Sequence, residues 1–180
     1  MAALRIRTSA DSHAQELLFG VHDVGVILQY LWLIPVVFAL QRLSRERSAE
    51  GLGRPIVAVG VAALSSTVAL LLIGFFHFEW GPWYMVPQGV IGGWLMVISW
   101  RMAKVLPWSL RGLGLVVGLG LVFVGTVPLS YAVWVDPAVP ESVANQIVHQ
   151  IVTVGTFMGV PTFPVWSLLL GNRLLREKSA

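Results

Sequence analysis

The 180-residue chain is 56% hydrophobic and only 12% charged, with a mean hydropathy of +0.77 and a formal net charge of +3. A soluble domain carries roughly 25% charged residues, so this composition excludes one and points to a lipid environment. Cysteine is absent, which excludes disulfides, thiolate metal ligands and thiol chemistry.

In chain order, a polar tail (1–14) precedes apolar runs at about 17–40, 55–78, 86–100, 112–134 and 146–171. Each approaches the ~20 residues that cross a ~30 Å hydrocarbon core, the third run being the shortest. The pattern predicts an all-α integral membrane five-helix bundle, one transmembrane domain over 1–180. Basic residues occupy alternate connections: Arg42, Arg45, Arg47 and Arg54, then Arg101, Lys104 and Arg111, then Arg173, Arg176 and Lys178. The second and fourth connections have none. The positive-inside rule makes the basic side cytoplasmic, the N-terminus outside and the C-terminus cytoplasmic. These anchors account for a pI near 9.8 without nucleic acid as a partner. Asp11 and Glu16 precede a run too long for a signal-peptide core, so the first run is expected to remain as a helix.

The first run carries His22, Asp23, Gln29 and Tyr30, with His22 and Gln29 seven residues apart on one face and Asp23 and Tyr30 beside them. Pro35 is expected to bend its inner half. The second run opens at Arg54-Pro55 and leads to His77, Glu79 and an aromatic outer turn with Trp80, Trp83 and Tyr84. Pro87-Gln88 at the head of the third run suggests an irregular or late helix start. Gly114 with Gly118, Gly89 with Gly93 and Gly155 with Gly159 repeat a small-xxx-small spacing that lets helix backbones approach closely, so these are read as packing seams. In the last run Gln146, His149, Gln150, Thr153 and Thr156 fall on one helical stripe. That stripe is expected to face protein, leaving Ile, Val and Phe to the lipid.

At 1.5 Å per residue, His22 lies about 30 Å from Arg42, His77 about 34 Å from Arg54 and His149 about 36 Å from Arg173, so all three sit near the outer interface. An ionisable or amide group facing lipid costs several kcal/mol. The expectation is therefore a polar pocket open to the outer face and lined by His22, Asp23, Gln29, Tyr30, His77, Gln88, Gln146, His149, Gln150 and Thr153. It would bind a small ligand or a partner membrane subunit. The competing reading makes the histidines separate interfacial residues, wetted by headgroups. His22, His77, His149 and Glu79 are candidate ligands for a metal, and paired histidines for a b-type haem, which would make the chain a redox or metal-dependent enzyme subunit. No HxxxH or HExxH spacing supports this. No nucleophile motif or phosphate loop occurs, and no motif assigns a cofactor.

The chain end, Pro161, Pro164, Val165-Trp166, Leu168-Leu169-Leu170-Gly171 and Arg173-Leu174-Leu175-Arg176, resembles the closing helix of a group of uncharacterised bacterial multipass membrane proteins. Leu106-Pro107-Trp108 and the glycine-rich run after it are similar to their penultimate region. The resemblance covers about the last 75 residues, implies a bacterial inner-membrane location, and carries over no catalytic residue; the lipid bilayer is the expected partner, and a homo-oligomer through the glycine seams is the less favoured reading of that spacing. Size and eight tryptophans are similar to the tryptophan-rich sensory proteins, but their Pro-rich, Trp-containing first loop is missing here.

Overall fold

The computed structural model describes residues 2–47, 52–76, 83–133 and 142–178. These form six helices: α1 (Ala2–Arg47), α2 (Arg54–Phe76), α3 (Met85–Arg101), α4 (Trp108–Val133), α5 (Val143–Gly159) and α6 (Thr162–Lys178). Among the described residues there is no strand. Stretches Asp23–Glu46, Arg54–Gly74, Trp108–Ser130 and Val143–Arg176 are each long and apolar enough to cross a membrane. α3, with 17 residues, is about 25 Å long and lies along α4.

Two expectations about helix limits need correction. The tail 1–14 was expected to lie outside the helices, yet α1 begins at Ala2. Low hydropathy takes residues out of the bilayer without unwinding them. Ala, Leu and Arg make up half of residues 2–19 and neither Gly nor Pro occurs before Gly20, so the helix continues outward. The last run was expected as one helix over 146–171, but it breaks at Val160-Pro161 into α5 and α6. Proline cannot donate to the Phe157 carbonyl, and its ring crowds that turn. The Thr162 hydroxyl donates to the carbonyls of Met158 and Gly159, the latter at 3.3 Å, so the break is closed from within. Together α5 and α6 still run antiparallel to α4 along its length: Val148 lies near Thr126, Gly159 meets Gly120, and Trp166 meets Leu110. They make one kinked crossing, the fifth.

Pro87 does not delay α3, which begins at Met85, but the helix is entered through a 3-10 turn at Trp83-Tyr84, the irregular entry among the two expectations. The proline falls in the first helical turn after Tyr84, where the missing N–H has no helical partner to lose.

α4 is the centre of the bundle, with α3, α5 and α6 packed on it; α2 joins α1 to α3, and α6 also touches α1. Glycine decides the closest approaches. A Cβ on Gly89 would lie 2.9 Å from Gly125 Cα, and one on Gly118 would lie 2.7 Å from the Gly92 carbonyl, so α3 and α4 touch backbone to backbone. On the other side of α4, a Cβ on Gly159 would lie 2.8 Å from the Leu121 amide. Helices in lipid gain nothing from hydrophobic transfer against one another, and such close contacts replace it. The Gly89/Gly93 pair is corrected in part: Gly92 is the seam residue and Gly93 opens into free space.

α1 contributes a narrower face, Tyr30, Leu33, Val37, Leu40 and Ser44, spaced three and four apart. Ser44 Oγ accepts from the Leu52 amide at 2.9 Å and ties the first connection back to α1.

Candidate functional site

Two groups of polar residues lie between the middle of the bundle and the end opposite the basic connections. The first joins α1 and α3. Tyr30 is 2% exposed and Gln88 6% exposed, and their side chains hydrogen-bond, with the Gln88 amide donating to the phenol oxygen. Sharing this bond removes two costs that each would bear alone in the bundle. Phe163 of α6 packs on the Tyr30 ring at 5.6 Å between centroids, and Trp166 stacks on Phe163 at 6.4 Å. Tyr84, in the turn that leads into α3, completes the group. Burial pushes its phenol up, and the nearby Asp23 carboxylate adds to the shift by opposing a second negative charge.

Tyr30 and Gln88 thus meet, Tyr84 lies near Tyr30, and Asp23 joins the group through Tyr84. The sequence reading left Tyr84 in the interfacial aromatic belt. Its position three residues before Pro87 and four before Gln88 was the available signal. Gln29 points to another side of α1, where its Nε2 is shut away and has no hydrogen-bond partner among the described residues.

The second group is the α5 stripe, and its direction is the reverse of the expected one. Gln146, His149, Gln150, Thr153 and Thr156 are all exposed, while α5 buries Val148, Gly155 and Gly159 against α4. At 100° per residue the stripe is centred about 140° around the helix from this packing face. The physical reason is contact distance. Only Gly155 and Gly159 allow α5 to reach the α4 backbone at Gly120, and an amide-bearing face would hold the helices apart. The Thr153 hydroxyl donates to the His149 carbonyl at 2.8 Å. Among the described residues, nothing bonds the Gln150 amide or the His149 ring.

Among the described residues, the exposed α5 stripe therefore does not share a pocket with Tyr30 and Gln88. The cavity beside α5, about 230 Å³, opens on its other side, between α4 and α5, and is lined by Thr126, Val127, Ser130, Ile147, Val148 and Ile151 among others. It is apolar in character, because Thr126 donates to the Phe123 carbonyl and Ser130 to the Thr126 carbonyl. The His22 side chain, His77 and Glu79 lie outside the described residues. His149, the remaining candidate metal ligand, stands on the outward side of α5. Among the described residues, no three His, Asp or Glu side chains converge.

At the basic end, Arg111 Nε donates to the Ser99 carbonyl at 2.8 Å, capping the C-terminus of α3 where helical partners run out. Arg111 is thus a structural cap as well as a topology anchor.

The fold and the lengths of its helices define a polytopic α-helical membrane protein. No protein family, curated protein or solved structure matches the chain.

Proposed function

We propose that this protein is an assembling subunit of a bacterial inner membrane, oriented N-terminus out, and that α5 is the surface through which it joins a second copy of itself. One observation carries the reading: α5 directs its amide, imidazole and hydroxyl groups away from its own bundle. The middle of the 143–173 crossing falls near Met158, which puts His149 and Gln150 just inside the hydrocarbon layer, Thr153 and Thr156 deeper, and Gln146 at its boundary. A side-chain amide bare to acyl chains costs several kcal/mol, and a hydrogen-bonding helix removes that cost. Glutamine and neutral histidine each donate and accept, and the stripe holds no charge to repel its twin. Two α5 helices related by a two-fold axis therefore satisfy one another. Of the two ligands considered, a membrane subunit fits an open convex face better than a small molecule does.

The chain lacks cysteine, so a single Gln146→Cys variant reports contacts at one place. Disulfide-linked dimer in membranes is the expected result, with dimer lost when His149 and Gln150 are both replaced by Leu in that background. Monomer only, or dimer indifferent to these replacements, rejects the reading.

A second reading rests on the convergence of Asp23, Tyr84, Tyr30 and Gln88, which supports a small polar ligand approaching α1 and α3 from the outer face. Its signature is ligand-induced thermal stabilisation that Tyr84→Phe abolishes.

A further inference from the structure

The α2 and α3 helices leave a groove of about 430 Å³ between Pro55, Ile56, Val59, Val90, Gly93 and Val97, with Trp94 forming part of its floor. No polar side chain lines it other than the Trp94 indole, whose N–H is already engaged by the Ile56 carbonyl at 2.8 Å. Val59, Val90 and Val97 on its walls are each more than 40% exposed, and in a membrane-crossing bundle such walls face acyl chains. Gly93 keeps the groove open, since a Cβ built there meets nothing within 4 Å.

What lies at one end of this groove makes it more than a surface irregularity. The bond from Trp94 to Ile56 sets these residues at one level. Arg54 is two residues from Ile56 toward the basic end, about 3 Å, and Arg101 is seven residues from Trp94 in the same direction, about 10 Å. Arg101 also falls four residues after Val97, so it continues the face of α3 that lines the groove. Arg54, Arg101 and Lys104 are exposed and have no ion-pair partner among the described residues, whereas nearby Glu46 is held by Arg42 at 3.0 Å. Trp100, 74% exposed, stands beside Arg101 at headgroup level.

An apolar slot open to the bilayer, ending under unpaired cations at the headgroup layer, matches one molecule in both halves. We infer that this groove is a binding site for an anionic phospholipid, with an acyl chain along Val59, Val90, Gly93 and Val97 and the phosphate on Arg54 and Arg101. Long basic side chains extend toward the interface, so the two arginines converge on a phosphate there despite their different levels. The site is on the far side of α3 from α5 and is independent of the assembly surface.

Native mass spectrometry of the detergent-purified full chain tests this with two lipids of identical acyl chains, phosphatidylglycerol and phosphatidylcholine. One phosphatidylglycerol should be retained in preference to phosphatidylcholine. Each headgroup-level cation is worth roughly fivefold in anionic-lipid affinity, so Arg54→Gln with Arg101→Gln should lower phosphatidylglycerol retention roughly 25-fold and leave phosphatidylcholine unchanged. Gly93→Leu fills the groove and should lower retention of both lipids, whereas Gly112→Leu, at an open glycine of α4, should not. If Gly93→Leu does not fold by circular dichroism, Val97→Trp blocks the same slot from an exposed position. Excess inorganic phosphate should fail to displace the lipid, because it lacks the chain. Equal retention of the two lipids by the natural chain, displacement by phosphate, or indifference to both the arginine and the groove-filling variants overturns the assignment.

Discussion

The indole N–H of Trp94 donates to the carbonyl oxygen of Ile56, and its ring lies over Gly60, one turn further along α2. The same arrangement recurs at the centre of the bundle, where Trp166 Nε1 donates to the Leu110 carbonyl at 3.1 Å beside Gly114, again four residues on. In both cases a carbonyl already serving its own helix accepts a second donor, which the absence of a Cβ one turn away makes reachable. This device satisfies a buried indole without a polar side chain, and it locks α2 to α3 and α4 to α6.

Gly60→Ala and Gly114→Ala should therefore each lower stability by about 1–3 kcal/mol, since the added methyl would overlap the Trp94 ring at Gly60, and at Gly114 would press on the Ser99 hydroxyl and lie 2.8 Å from the Trp166 indole nitrogen. Gly93→Ala and Gly112→Ala meet nothing and should be neutral or stabilising by up to about 1 kcal/mol through helix propensity. Unfolding of the four variants in mixed micelles separates the pairs. Equal effects at all four sites would show that propensity alone governs these glycines.

The α4 to α5 seam is tested by Gly120→Ala and Gly159→Ala. Each places a methyl against the opposite backbone and should cost about 1–3 kcal/mol. The two should be strongly non-additive because they share one contact. Additive losses in the double variant would mean the helices do not meet there.

Tyr30 and Gln88 should behave as a coupled pair. Tyr30→Phe and Gln88→Leu each leave the partner's polar group buried, while the double variant leaves none. A double-mutant cycle is expected to return a coupling of about 0.6–2 kcal/mol. Zero coupling means the bond does not form in the membrane.

Tyr84 carries a pH prediction. Its phenol is raised above the ordinary value near 10 by burial first and by Asp23 second. The unfolded chain then loses its proton before the folded one does. The corresponding stability is present below pH about 10 and falls away as pH rises from there toward the folded value. Absorbance titration of the three tyrosines should show Tyr84→Phe removing one of their ionisations and Asp23→Asn shifting that same one downward. A Tyr84 that titrates at the ordinary value, or is indifferent to Asp23, contradicts the placement.

Pro161 should be the hinge of the last crossing. Pro161→Ala restores the donor to the Phe157 carbonyl and should straighten α5 onto α6. Paired spin labels at Ala144 and Asn172 should then move apart, and an unchanged distance would assign the break to packing against α4 instead.

Much of this molecule was legible from residues alone, for a reason of scale. Whether a run of ~20 residues prefers oil to water is settled by that run and its flanks, so the crossings of the described helices and the placement of basic residues at one end follow from local composition. That Tyr30 and Gln88 would turn toward protein was also legible, because polar groups in the bilayer seek partners. The kink at Pro161 was present as a residue but hidden by the continuity of hydropathy around it. What hydropathy could not reveal is which side of α5 faces its neighbours. Polarity argued for Gln146 to Thr156 turning inward, and the tertiary structure turned Gly155 and Gly159 inward instead. The physical reason is that all non-polar faces are alike to lipid, so the contact goes to the pair of surfaces that fit most closely. That fit is a property of α4 and α5 together and of neither sequence segment alone.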